Sequence, residues 1–159
     1  MSIWWSLHLR REAASVPLAR RLLLGTMETA GVDPDVSYEL SIALTEACAN
    51  AVEHGGGGEV GGTGRAAYRV TAYLDGETCR IEVADSGPGF PGVAAALPGA
   101  ETASAPMAPS DDAEHGRGLR LIEELADHVQ FGNRSGRGGA VVSFDKILKW
   151  KDGPSLLMA

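Results

Sequence analysis

Apolar and polar residues alternate along this chain in two rhythms, and the switches between them outline the fold. "SIWWSLHLR" has a period of two, which puts Ile3, Trp5, Leu7 and Leu9 on one face of a strand. From about Ala13 to Ala30 the apolar Val16, Leu18, Ala19, Leu22, Leu23 and Met27 recur at helical spacing, and Gly31 supplies a stop. A second helix restarts at once in "VDPDVSYELSIALTEACANAVEH", with Asp33 as N-cap and Pro34 at the first helical position. "GGGGEVGGTG" cannot hold a regular element and reads as a loop. "AAYRVTAYLDGETCRIEVADSG" reads as a hairpin. In it Tyr68, Val70, Ala72 and Leu74 alternate against Arg69, Thr71 and Tyr73, Asp75-Gly76 makes the turn, and Cys79, Ile81 and Val83 line the return strand.

The next stretch, "PGFPGVAAALPGAETASAPMAPSDDAEHGRG", is rich in Pro, Ala, Gly and acids and is expected to be a mobile lid at about 91–117. "LRLIEELADHV" predicts a short amphipathic helix, "VQFGNRSGRGGAVVSFDKIL" two strands around a Gly-rich turn, and 151–159 a tail. The order β-α-α-β-β-lid-α-β-β predicts one α+β domain over residues 1–150. It would be a two-layer sandwich with a mixed, mainly antiparallel sheet and helices on one face.

Composition narrows the class. A chain of 159 residues buries a real core without staples, and its net charge of −7 argues against a nucleic-acid surface. Cys48 and Cys79 sit in apolar-patterned segments without metal-ligand spacing, so they read as buried thiols of a reducing compartment. The sequence shows neither a membrane span nor a signal peptide, and a cytoplasmic location is expected.

Chemistry concentrates in three places. In "IALTEACANAVEHG", Glu46, Asn50, Glu53 and His54 are spaced so that, at about 100° per residue, they share one quadrant of the helix. Leu40, Leu44, Ala47, Cys48, Ala51 and Val52 take the other side. The hairpin's return strand ends in "DSGPGF", with Asp85, Gly87, Gly89 and Phe90. "HGRGLRLIEELAD" places Gly116 and Gly118 around Arg117, immediately before the expected helix, where free backbone N–H groups and the helix dipole suit phosphate. Singly these are a solvated face, a plain turn and a loop end. Their order, E-x-x-x-N-x-x-x-H, then D-x-G-x-G-F, then G-x-G, is more specific.

That order resembles the N, G1 and G2 boxes of the GHKL (Bergerat-fold) ATPases, which include histidine kinases, DNA gyrase and MutL. Within them the chain looks most like the anti-sigma factor serine/threonine kinases of the RsbW/SpoIIAB type. The resemblance implies ATP and Mg²⁺ as cofactors, with Asn50 as the metal ligand and Glu46 as the catalytic base. An amide oxygen is a suitable hard ligand for Mg²⁺, and a carboxylate one turn away, about 6 Å along the axis, can face the terminal phosphate. Glu53 and His54 either support the pocket or are solvated. The resemblance gives Asp85 the adenine amino group, Gly87 and Gly89 the close passage beside the purine, and Gly116, Arg117 and Gly118 the phosphates. His115 and Arg120 are further candidate charge partners for those phosphates.

The partners it implies are a sigma factor, held when a STAS-type anti-anti-sigma protein has been phosphorylated on Ser or Thr, and a second copy of the chain. Trp4 and Trp5 are candidate contacts in that homodimer. A nucleotide-binding module that sequesters a partner without phosphotransfer, or a detached histidine-kinase catalytic domain, are the alternatives. The chain departs from the pattern at Ala140, where relatives carry a Thr that helps hold adenine; Ser143 lies further along.

Overall fold

The computed structural model describes residues 2–54, 67–85, 113–133 and 139–151. Five strands, β1 (Ile3–Arg10), β2 (Ala67–Leu74), β3 (Thr78–Asp85), β4 (His128–Asn133) and β5 (Ala140–Ile147), form one sheet in the order β1-β2-β3-β5-β4. Every pairing is antiparallel, so the sheet expected to be mixed but mainly antiparallel is antiparallel throughout these strands. Helices α1 (Val16–Ala30), α2 (Pro34–His54) and α3 (Ala113–Leu125) accompany it. Alternation along the strands buries Tyr68, Val70, Ala72 and Leu74 of β2, Cys79, Ile81 and Val83 of β3, and Ala140, Val142 and Phe144 of β5 in one core with the helices. Helix α2 is the centre of the helical layer and packs against both α1 and α3.

Local signals set the boundaries. The first predicted helix opens with a 3₁₀ turn at Ala13–Ser15 before α1 proper. It closes on Gly31, whose φ of 89° lies in the left-handed region that strains residues bearing a side chain. The Gly31 N–H reaches Glu28 O and the Val32 N–H reaches Met27 O, the paired bonds of a Schellman stop. Asp33 caps α2 by accepting the Asp35 N–H at 2.7 Å, with Pro34 inside the first turn. The chain after β5 then ties this corner down: Asp33 N–H bonds Lys149 O, and Trp150 forms a bridge with Val32.

Two more side chains fasten helix ends. The Arg11 guanidinium donates to Val52 O at 2.6 Å in the last turn of α2, and the Lys146 ammonium donates to Leu125 O at the end of α3 while pairing with Glu39 at 3.1 Å. Cations at helix C-termini satisfy orphan carbonyls and oppose the dipole. Both cysteines are buried and free, as expected; burial pushes the Cys48 thiol up to about 12 and Cys79 upward as well, so each stays protonated.

Two expectations need correction. The α3 helix begins at Ala113, so it takes in 113–117 from the expected lid; residues 91–112 lie outside the described residues. The hairpin turn is centred one residue later than expected, because Asp75 N–H bonds Thr78 O and leaves Gly76-Glu77 as the central pair. Asp75 acts instead as the first turn residue, its Oδ1 accepting the N–H groups of Glu77 at 2.7 Å and Thr78 at 2.8 Å.

Those bonds, Thr78 first, hold the Asp75 carboxyl below its ordinary value. A carboxyl lowered in the folded state stabilises the fold above its unfolded value and ceases to do so as pH falls through the folded one. Asp75→Ala is therefore expected to destabilise the domain at pH 7 by no more than about 1 kcal/mol, since solvent screens the site. The gap should close as pH drops below about 3.9. Thermal unfolding against pH measures it, and a gap independent of pH would remove the assignment.

Candidate functional site

The site is organised by α2. Its buried stripe, Leu40, Ala43, Leu44, Ala47, Cys48 and Ala51, faces the core, and small residues at three of those positions let the helix lie close. With that stripe buried, Glu46 and Asn50 emerge half-buried at its side, one turn apart. Val52, expected on the apolar side, is only partly buried, and Glu53 is exposed but has contacts of its own.

Helix α3 meets this edge of α2. A Cβ built on Gly118 would stand 2.9 Å from Glu46 Oε1, so the carboxylate occupies the space that a side chain at 118 would claim. The sequence reading put the G-x-G motif just ahead of the helix, with free N–H groups. Here Gly116, Arg117 and Gly118 lie inside α3, where amides beyond the first turn bond within the helix. A reading of the spacing missed the more specific role of Gly118, which is to let Glu46 approach. Arg120 is exposed, beside the buried Leu119 and Ile122 that hold α3 down.

The third part of the site lies at one end of the sheet. Asp85 ends β3 and continues the inward alternation of Cys79, Ile81 and Val83, which leaves the residue only 6% exposed. A buried carboxylate requires hydrogen-bond donors. One is the Ala140 N–H, which reaches Asp85 Oδ1 at 3.0 Å, and it is one of the contacts that hold this side chain. The β3–β5 ladder runs as far as Ala84 opposite Val141, so the carboxylate takes the donor that the next rung would have used.

Helix α2 crosses this same end. Cys48 lies close to Tyr68, whose strand partner is Asp85, and the Tyr68 hydroxyl bonds Ser15 Oγ at 2.6 Å. Burial, above all, raises the Tyr68 hydroxyl to about 12, so it remains a neutral link in that chain. The fold thus brings Glu46 beside Gly118 and carries the α2 segment containing Asn50 toward the sheet end of Asp85. Gly87, Gly89 and Phe90 lie outside the described residues, as do the side chains of His54, His115 and Arg117. Ser143 alternates out of the face that buries Ala140, Val142 and Phe144, so it does not replace the missing Thr.

This constellation on a β-α-α-β-β-α-β-β frame has a counterpart among known proteins. The chain belongs to the histidine kinase-like ATPase domain family, whose profile matches residues 9–146. It is thus a domain of the ATP-using, GHKL kind. No curated protein matches it significantly by sequence. Among solved structures it resembles the RsbU and RsbW domains of Rv1364c from Mycobacterium tuberculosis, at a TM-score of 0.61 and 20% identity over 92% of this chain. This chain spans 34% of that one. It also resembles the SiaB-SiaC complex from Pseudomonas aeruginosa, at a TM-score of 0.57 and 14% identity, over 90% of this chain and 88% of that one. At such identities the likeness is one of fold.

Gly118→Ala separates position from stability. Exchanging Gly for Ala inside a helix gains about 1 kcal/mol, and the obstructing atom is the mobile end of Glu46. The variant is expected to melt no lower than the parent. If Glu46 is the base that the sequence analysis expects, its misplaced carboxylate lowers ATP turnover by about 100-fold. Unchanged turnover in a folded variant would show that the close approach is incidental.

Proposed function

We propose that the chain is an ATP-dependent protein serine/threonine kinase that also acts as an anti-sigma factor. The observation that carries this reading is the pairing on α2: Glu46, admitted by Gly118, stands one helical turn from Asn50 beside a sheet end that holds a buried carboxylate. The residues suit Mg-ATP. In this reading Asp85 offers an acceptor to the adenine amino group, Asn50 an amide oxygen to Mg²⁺, and Gly116, Arg117 and Gly118, in the first two turns of α3, are assigned to the phosphates. The metal, held mainly by phosphate oxygens, would supply charge neutralisation there.

Glu46 then serves as the base. It takes the proton of an incoming Ser or Thr hydroxyl, whose oxygen forms a bond to the γ-phosphorus as the bond to the β-phosphate oxygen breaks and ADP leaves. The substrate in this reading is a STAS-type anti-anti-sigma protein. Phosphate adds close to two negative charges to it, which releases it and leaves the chain to hold a sigma factor. The presence of an RsbW domain and of the SiaB-SiaC complex among the structural neighbours supports this choice of partner class.

A second copy would dock on the sheet face away from the helices. There Trp4, 64% exposed, stands opposite the exposed Tyr73. Trp5 packs inward and donates its indole N–H to Thr26 Oγ1, so Trp4 is the better contact. No helix among the described residues is long and apolar enough to cross a membrane.

Incubation with radiolabelled ATP, Mg²⁺ and candidate STAS proteins tests the kinase. Transfer to a Ser or Thr is expected, reduced at least 1000-fold in Glu46→Ala while nucleotide binding persists, within the range general-base catalysis and positioning supply together. Binding without transfer to any partner would instead favour a sequestering module. A phosphohistidine product would favour a detached histidine-kinase domain. Asn50→Ala is expected to weaken Mg-ATP binding by calorimetry at least tenfold while leaving metal-free ATP nearly unchanged. Equal losses would exclude metal ligation by Asn50.

A further inference from the structure

Two carboxylates of α2 are engaged with α3, and they lie seven residues apart. Glu46 fills the space beside Gly118, where a Cβ would stand 2.9 Å from its Oε1. Glu39 accepts from the Lys146 ammonium at 3.1 Å, and the same ammonium donates to Leu125 O at 2.8 Å. Gly118 and Leu125 are themselves seven residues apart on α3. Seven residues of helix rise about 10.5 Å and come within about 20° of two full turns. The two contacts thus lie at matched heights along the two helices, which run antiparallel.

Lys146 is built into this seam. It follows Ala140, Val142 and Phe144 on the inward side of β5, and its side chain is only 15% exposed. An ammonium so placed needs partners, and its two here belong to different helices. The chain just past α3 is fastened to β5 in its own right, by Asp127 N–H to Asp145 O at 2.9 Å and Ile147 N–H to Asp127 Oδ2 at 2.6 Å. Those bonds hold the helix end to the sheet, and Lys146 carries the tie across to α2.

We infer that Lys146 is a positioning residue for Glu46: it fixes the register of α3 on α2, and the register decides what stands against that carboxylate. Only the effect on turnover rests on the proposed reading of Glu46 as the base. Gly118 leaves free the volume that Glu46 uses, whereas Glu114, Leu121 and Ile122, one turn away along α3, all carry side chains. A helix free to slide brings such a side chain toward the carboxylate.

The register is read in the full chain from nitroxide labels attached through Tyr38→Cys and Glu123→Cys, exposed positions on α2 and α3; the native Cys48 and Cys79 are buried. The label distance distribution is expected to broaden or shift in Lys146→Met, and to return in Lys146→Arg, which keeps a cation for both partners. In Lys146→Met, kcat for ATP should fall roughly 10- to 100-fold while ATP affinity stays nearly unchanged. Glu39→Ala should act in the same direction, and it serves if Lys146→Met does not fold. Because Lys146 works through the approach of Glu46 to Gly118, adding Lys146→Met to Gly118→Ala should cost no more than about threefold beyond Gly118→Ala alone. Fully additive losses, or a fall in turnover that lies wholly in ATP affinity, overturn the inference. So does a label distribution left untouched in a folded Lys146→Met or, failing that, Glu39→Ala variant. A parent that turns over no ATP defeats the proposed function instead, and the label distances still decide the register.

Discussion

Burial of one stripe of α2 against the sheet is the constraint on which the rest of the site depends. Leu40 and Leu44 contribute bulk, while Ala43, Ala47 and Ala51 contribute proximity. A helix with one face so committed cannot rotate without exposing that stripe, at a cost of about 25 cal/mol for each Å² of apolar surface returned to water. The directions of Glu46 and Asn50 are therefore consequences of core packing. Helices α1 and α3 flank α2, and the Arg11 bond to Val52 O secures its far end. The candidate side chains are thus aimed by the packing of the helix that bears them.

The same economy explains α3. Two glycines within three residues weaken a helix by about 1 kcal/mol each relative to alanine. Here the helix persists through Gly116 and Gly118, with Leu119 and Ile122 in the core and Lys146 bonded to the terminal carbonyl of Leu125. Tertiary packing overrides local propensity, and Gly118 is tolerated because the vacated volume is used by Glu46. Glycine thus brings two helices to within the reach of a carboxylate instead of breaking the chain.

Much of this was legible in the residues alone, for a definite reason. Strand and helix periods were strong, so the order of elements and the inward set of β2 and β3 followed from alternation, and Asp33-Pro34 and Gly31 marked helix ends by stereochemistry that depends on few neighbours. What stayed hidden depends on contacts distant in sequence. The start of α3 at Ala113 requires its packing on α2, and Leu18 and Leu22, helical in spacing, prove exposed because α1 buries Ala19, Leu23 and Met27 instead. The pattern of the last segment likewise gave no sign that Trp150 would bridge Val32. In the site, Glu46, Asn50 and Asp85 stood out by type and spacing. The Gly118 contact and the Ala140 amide did not, since one is an absence of atoms and the other belongs to the backbone.

The backbone origin of that donor bears on the substitution at position 140. If a Thr hydroxyl were what held Asp85, its replacement by Ala would leave a buried carboxylate short of a partner, which costs more than an exposed hydrogen bond contributes. Ser143 cannot make good the loss, because a period of two sends it to the opposite face of β5. The N–H of residue 140 is present whatever non-proline side chain the position carries, and here it reaches Oδ1 directly. Asp85 therefore keeps its orientation with Ala140 in place. A hydroxyl at 140 would add a contact to a ligand but is not needed to aim the carboxylate, and so the departure that most distinguishes this chain's motif leaves the geometry of its buried acid intact.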